Sequence, residues 1–260
     1  MLSQQRIVLK KLIIFFGCLL FFPFAYAELP DTVVKIKPSI VGIGTFLQTR
    51  RPPAKLMGTG FAVGDGRHVV TNAHVIPDLI DEENKEFLCI FVGTGEDAKI
   101  RPAKLISKDV VHDLALLKIS GDVLPSMSLA YSKDVREGAL YAFTGFPIGA
   151  VLGVYPVTHR GIVSAISPIV IPVSSSKELD VQMIKRLRNP YDVFQLDATA
   201  YPGNSGSPLY DPETGKVIGV INKVFVKETK EHVLDKPSGI TYAIPVKHVR
   251  ELLQEAKIAF

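Results

Sequence analysis

The chain has 260 residues, 47% of them hydrophobic and 22% charged, with formal net charge +4, 20 Gly and 18 Pro. That apolar fraction excludes intrinsic disorder, and the length suits one globular unit built from two similar halves. The Gly and Pro content predicts many turns.

Residues 1–27 read as a leader rather than as part of the fold. Arg6, Lys10 and Lys11 make a basic start, Leu12 to Phe24 an apolar run, and Ala25-Tyr26-Ala27 a small-x-small cleavage site. A retained membrane anchor is the weaker reading, because a spanning helix needs roughly 20 apolar residues and Pro23 interrupts the run. Cys18 is poorly placed for lipid attachment, since too few apolar residues precede it. Cleavage after Ala27 leaves 233 residues with net charge +1 and one cysteine, Cys89. A near-neutral chain offers no basic face for nucleic acid, and a lone cysteine excludes an intrachain disulfide. Cys89 lies in the apolar run Phe87 to Val92 and is expected as a buried free thiol. Export of this kind predicts a periplasmic or extracellular protein with no stable membrane span after the leader is removed.

Beyond Glu28, short apolar segments alternate with turn residues. Strands are expected at Ser39–Phe46, Gly60–Val63, His68–Val70, Glu86–Val92, Leu114–Ile119 and Leu140–Phe143. Further strands follow at Gly161–Ile166, Val193–Leu196, Val217–Ile221 and Ile240–Ile244. This spacing predicts an all-β sandwich or barrel rather than alternating βαβ units. From Pro245 to Lys257, Val246, Val249, Leu252, Leu253 and Ala256 share one helical face, which predicts a terminal packing helix. Gln48–Leu56, Ser167–Asp192 and Lys223–Pro237 read as irregular loops.

Three segments share one chemical logic. Val69 to Val75 is a strand running into His74. His112 to Lys118 places Asp113 at the mouth of a strand, and Tyr201 to Leu209 places Ser205 in a glycine-flanked turn. A serine hydroxyl becomes a useful nucleophile only when a neutral imidazole within about 2.6–3.2 Å takes its proton. That imidazole needs a carboxylate to fix its tautomer, and the developing oxyanion needs backbone N–H donors. Gly203 gives the turn the freedom to aim them. Each segment alone reads as an ordinary turn or strand end. The order His, Asp, Ser with gaps of 39 and 92 residues is far more specific. The six histidines, at 68, 74, 112, 159, 232 and 248, lack close ligand spacing, so no metal site is expected, and nothing calls for a cofactor.

At these residues the sequence resembles the chymotrypsin-like serine peptidases and, among them, the HtrA/Deg-like proteases. The likeness is carried by Gly58-Thr59-Gly60-Phe61-Ala62-Val63, Thr71-Asn72-Ala73-His74-Val75, Asp113 to Lys118, Gly161 to Ala165, Phe194 to Ala198, Gly203-Asn204-Ser205-Gly206 and Tyr242 to Pro245. It covers roughly residues 38 to 255. The resemblance implies two six-stranded antiparallel β-barrels with a C-terminal helix: residues 28–135 holding His74 and Asp113, and 136–260 holding Ser205. It implies His74 as base, Asp113 as its orienting carboxylate, Ser205 as nucleophile, and an oxyanion hole in the Gly203-Asn204-Ser205 turn, from the N–H groups of Gly203 and Ser205. Two departures stand out. Ser207 stands where many relatives have Gly, a variant in which the chain resembles the glutamyl endopeptidases with their Gly-Asn-Ser-Gly-Ser-Pro. The chain ends shortly after its last helix, where HtrA-like proteins usually continue into PDZ domains, so a protease domain standing alone is expected.

By the same resemblance, Thr199, Ala200 and Tyr201, with Asn222, Lys223 and Val224, line the primary specificity pocket. Thr199 stands six residues before Ser205, which speaks against a trypsin-like preference for basic side chains. Ile221 and Asn222 stand where glutamyl endopeptidases place a histidine. A small or aliphatic residue before the cleaved bond is expected. The leading expectation is thus an exported serine endopeptidase acting on protein or peptide substrates in envelope protein quality control. A catalytically silent or partner-activated binding module on the same scaffold, and a secreted glutamyl endopeptidase, are the alternatives. Self-association is left open by the sequence.

Overall fold

The structure is a computed structural model that describes residues 29–148, 153–169, 190–222 and 240–260. After a short helix, α1 (Leu29–Ile36), six strands close the first barrel: β1 (Ile40–Phe46), β2 (Ala54–Val63), β3 (His68–Asn72), β4 (Phe87–Val92), β5 (Lys99–Asp109) and β6 (Leu114–Ile119). They are ordered β1-β2-β3-β6-β5-β4. The second barrel, ordered β10-β11-β12-β9-β8-β7, is built from β7 (Leu140–Gly145), β8 (Val157–Pro168), β9 (Asp192–Asp197), β10 (Pro208–Tyr210), β11 (Val217–Asn222) and β12 (Ile240–Pro245). Helix α2 (Val246–Glu255) follows. The expected pair of six-stranded antiparallel barrels with a C-terminal helix is therefore what the chain forms. Closure leaves neither sheet with an open edge, which removes the usual route to strand-on-strand aggregation.

Every strand expected from alternation is present, most of them a residue or more longer at one end. Two strands and a helix were not expected. β5 carries Lys99, Arg101, Lys104 and Lys108 with Pro102 among them, and only Ala103 is buried along its length, so its sequence has the polarity of a loop. It is held as a strand by ladders to β4 and β6. β10 spans three residues and begins with proline, too little for any periodic signal. Of the three stretches read as loops, Ala54–Leu56 belongs to β2 and Ser167–Pro168 to β8. Lys223–Pro237 lies outside the described residues. In the first loop Arg50 bonds Glu86 Oε1 at 2.7 Å and the carbonyls of Thr45 and Pro53 at 2.9 Å each, so that its cation organises the turn.

Each barrel has its own interior. Val41, Ile43, Ala62, Val69, Ile90 and Leu117 fill the first; Phe143, Val163, Phe194, Leu196 and Leu209 fill the second. A third cluster joins them: Phe61, Val70, Leu114 and Leu116 from the first barrel meet Phe146, Tyr210, Val220 and Ile244 from the second. The apolar face of α2 (Val246, Val249, Leu252 and Leu253) seals this junction. Burying each such side chain is worth about 1.5–3 kcal/mol, so α2 clamps the two barrels together. Helix α1 also reaches across, through Thr32 Oγ1 to the Glu213 carbonyl at 3.3 Å. Cys89 is buried and free, and burial pushes its thiol up to about 12, far from the thiolate form.

A pair of histidines pins α2 to the turn that precedes β6. His248 stacks on His112 with ring centroids 3.7 Å apart, and Tyr191 meets both rings edge-on. Asp109 holds His112 Nδ1 at 2.5 Å, Glu251 holds His248 Nδ1 at 2.8 Å, and Lys247 lies beside them. Burial, and then the neighbouring His112, push His248 down to about 4 from 6.5. A histidine that resists protonation when folded contributes stability that is present above its unfolded value and is lost as pH falls from about 6.5 toward 4. Stability is therefore expected to drop by about 2 kcal/mol between pH 7 and pH 5 from this group. Thermal melts at the two pH values check this. His248→Phe, which keeps a ring against His112, should remove most of that drop.

Candidate active site

The groups expected to carry chemistry converge at the junction of the barrels. β3 ends at Asn72, and the chain then makes the short 3-10 turn Ala73–Val75 that presents His74. Asp113 sits just before β6 in a left-handed conformation, φ +54°, that aspartate tolerates better than most residues. Its buried carboxylate is fully engaged. Oδ2 accepts from His74 Nδ1 at 2.7 Å, and Oδ1 accepts from the His74 backbone N–H at 2.9 Å. A carboxylate oxygen is an acceptor, so His74 Nδ1 carries the proton and Nε2 is the ring atom turned to other chemistry. The Asp113 carbonyl is fixed by Asn72 Nδ2 and Ala73 N–H, each at 3.0 Å. The arrangement holds the imidazole rigidly in one tautomer and one orientation.

Asn222, expected in the substrate pocket, has its side chain elsewhere. Its Nδ2 donates to Asp113 Oδ2 at 2.7 Å from β11 of the opposite barrel. Reading along the sequence missed this because the contact spans 109 residues. Of the other residues expected in the pocket, Thr199 and Tyr201 are half-buried, while Ala200 packs into the core of the second barrel. Lys223 and Val224 lie outside the described residues. The Tyr201 ring faces His159 at 6.1 Å, and His159 stacks on Phe143 at 4.9 Å, held below the usual imidazole range by burial. His159, considered in the sequence only as a metal ligand, precedes the stretch read as strand and has no motif around it; it lies in β8.

Ser205 lies on the turn leading to β10, and the peptide planes around it are set by their carbonyls. Pro202 O accepts from Ile148 N–H at 2.6 Å, Gly203 O from Thr59 Oγ1 at 2.7 Å, and Asn204 O from Ser207 N–H at 3.0 Å. In a trans peptide the N–H points opposite to the C=O. The N–H groups of Gly203 and Ser205 are therefore turned to the other side, and among the described residues neither donates a hydrogen bond. The Asn204 N–H does not join them, being bonded to Tyr201 O at 3.0 Å. Gly203 adopts φ +100°, and a Cβ there would fall 2.2 Å from Phe146 O, so no other residue fits. Among the described residues no hydrogen bond joins Ser205 Oγ to His74 Nε2, a contact that commonly tightens only when substrate is bound.

The unusual Ser207 is accommodated by a missing side chain on the neighbouring strand. A Cβ on Gly145 would lie 2.0 Å from Ser207 Oγ and 3.0 Å from Asn204 Oδ1. The extra hydroxyl fills space that only glycine at 145 leaves open. Among the described residues, no group of three or more His, Cys, Asp or Glu side chains could hold a metal ion. No helix among them is long and apolar enough to cross a membrane.

The family model for the trypsin-like peptidase domain matches residues 58–220. The chain belongs to that family. It is 30% identical over 241 residues to the serine protease HTRA1A of Danio rerio, a match that covers 90% of this chain and 42% of the relative. It is 29% identical over 194 residues to a probable periplasmic serine endoprotease, DegP-like, of Halomonas elongata, covering 73% of this chain and 33% of that one. The chain thus spans less than half the length of these curated relatives. Among solved structures it resembles the HtrA-type protease AlgW with tripeptide, with TM-score 0.63 and 26% identity over 88% of this chain and 63% of that chain. The likeness to HtrA-type proteases expected from the motifs is borne out.

Proposed function

We propose that this member of the trypsin-like peptidase family is a serine endopeptidase that hydrolyses peptide bonds through an acyl-enzyme. Ser205 Oγ attacks the scissile carbonyl while His74 Nε2 takes its proton, and the N–H groups of Gly203 and Ser205 receive the oxyanion. His74, now an imidazolium paired with Asp113, returns the proton to the leaving amine as the C–N bond breaks. Water then attacks the ester by the same route in reverse, freeing Ser205. The observation that carries this reading is the doubly bonded His74–Asp113 pair standing against a turn whose Gly203 and Ser205 N–H groups are undonated.

The substrates in this reading are exposed or unfolded segments of proteins. Thr199 and Tyr201 border the pocket for the residue before the cleaved bond. The basic and apolar leader at 1–27, together with the periplasmic relatives, supports export to the periplasm or cell exterior and a role in envelope protein quality control. Incubating the protein with a fluorophosphonate probe and mapping the adduct by mass spectrometry tests the proposal. The expected result is modification at Ser205 together with casein hydrolysis. A folded protein that neither takes up the probe nor cleaves casein would favour the silent binding module instead.

A further inference from the structure

We infer that Thr59 is a positioning residue for catalysis: from the first barrel, its hydroxyl sets the shape of the oxyanion turn in the second. Thr59 lies in β2, fully buried, and all its polar atoms are used. Its Oγ1 donates to Gly203 O at 2.7 Å and accepts from Phe146 N–H at 3.0 Å. Its N–H donates to Ser205 O at 2.9 Å, and its carbonyl accepts from Thr71 Oγ1 at 2.6 Å. Thr71 belongs to β3, the strand that delivers His74. One residue therefore ties the histidine strand to the serine turn.

The hydroxyl does something the backbone of Thr59 cannot. Three successive peptide planes define the turn, and each is fixed by one acceptor contact at its carbonyl: Pro202 by Ile148, Gly203 by Thr59, and Asn204 by Ser207. Two of these restraints are backbone donors within the second barrel. The middle one is a side chain from the other barrel, placed between the two N–H groups that face the oxyanion. The Gly203 conformation at φ +100° is open to glycine in many variants, so nothing intrinsic to the residue prevents its peptide from turning. Without the Thr59 hydroxyl, Gly203 O and Phe146 N–H both lose a buried partner, and the plane between the donors is held at one end alone, by the Asn204 N–H bond to Tyr201 O. Serine retains the hydroxyl, whereas valine keeps the shape and loses it.

This inference rests on Ser205 being the nucleophile, which probe labelling of the wild type tests separately. Given a labelled wild type, T59V and T59S are compared for kcat and KM on a peptide substrate. Binding of a peptide boronic acid, which mimics the tetrahedral adduct, is measured alongside binding of the matching product peptide. For T59V, kcat and boronate affinity are expected to fall about 10- to 100-fold, with KM and product affinity changed less than about threefold. T59S should recover kcat to within about threefold of wild type. Should T59V not fold, Thr59→Cys, whose thiol fills the site but hydrogen-bonds weakly, carries the same expectation. A T59V protein with wild-type kcat and boronate affinity would overturn the inference. So would a T59S protein as impaired as T59V, or parallel losses of boronate and product affinity.

Discussion

Replacing Ser205 with Ala is expected to lower kcat/KM for casein or a peptide substrate by about 10⁴- to 10⁶-fold and to abolish fluorophosphonate labelling. The change removes only one oxygen. Gly203 and Gly206 keep their left-handed conformations, the Asn204 and Gly206 N–H groups keep their carbonyl partners on Tyr201 and Ile221, and Ser207 keeps its bond to Asn204 O. Folding should be unchanged, so the loss is attributable to the nucleophile. Some acceleration over water can persist, since the two undonated N–H groups still bind an oxyanion. Activity within tenfold of wild type would remove Ser205 from the mechanism.

Asp113→Asn should cost about 10⁴-fold in kcat with the fold retained. Asparagine tolerates φ +54° as aspartate does, so the turn before β6 survives the exchange. The electrostatics do not. Asp113 Oδ2 accepts from both His74 Nδ1 and Asn222 Nδ2, and an amide offers one acceptor oxygen and one donor nitrogen. If the amide nitrogen faces the ring, His74 Nδ1 must give up its proton, and Nε2 then carries it toward Ser205, where it cannot act as a base. If the amide oxygen faces the ring, the tautomer is kept but the imidazolium loses its counter-charge and the second His74 contact becomes donor against donor. Circular dichroism and kcat measured on the same preparation test this; a variant with more than a tenth of wild-type activity would contradict the orienting role of Asp113.

The sequence exposed those features that repeat locally or carry unusual chemistry. Short, near-continuous apolar runs such as Leu114–Ile119, buried everywhere but at Lys118, could be read as strands. β5 could not, because charged residues and Pro102 fill it and only Ala103 is buried, so that its strand state comes from the ladders to β4 and β6 on either side of it. His74, Asp113 and Ser205 stood out through their glycine and strand contexts. The roles of Asn222, expected in the pocket, and Thr59, noted only within a motif, did not: each acts through a contact across the barrel junction, over 109 and 144 residues, and each lies just outside a stretch read as strand. A short-range pattern cannot report which side of a strand faces a second barrel. The histidine pair 112 and 248 was hidden for the same reason.

The division of chemical groups between the barrels also sets an order in time. His74 and Asp113 belong to a barrel completed at Ile119, whereas Ser205, Asn222 and the closing strand β12 come from the final third of the chain. Domains generally fold as their segments emerge, N-terminal part first. A chain still leaving the ribosome can hold a finished His74–Asp113 pair before the Ser205 turn and Asn222 have been made. In the proposed mechanism the reacting groups are brought together only after the turn carrying Ser205 and strand β11 have joined the second barrel.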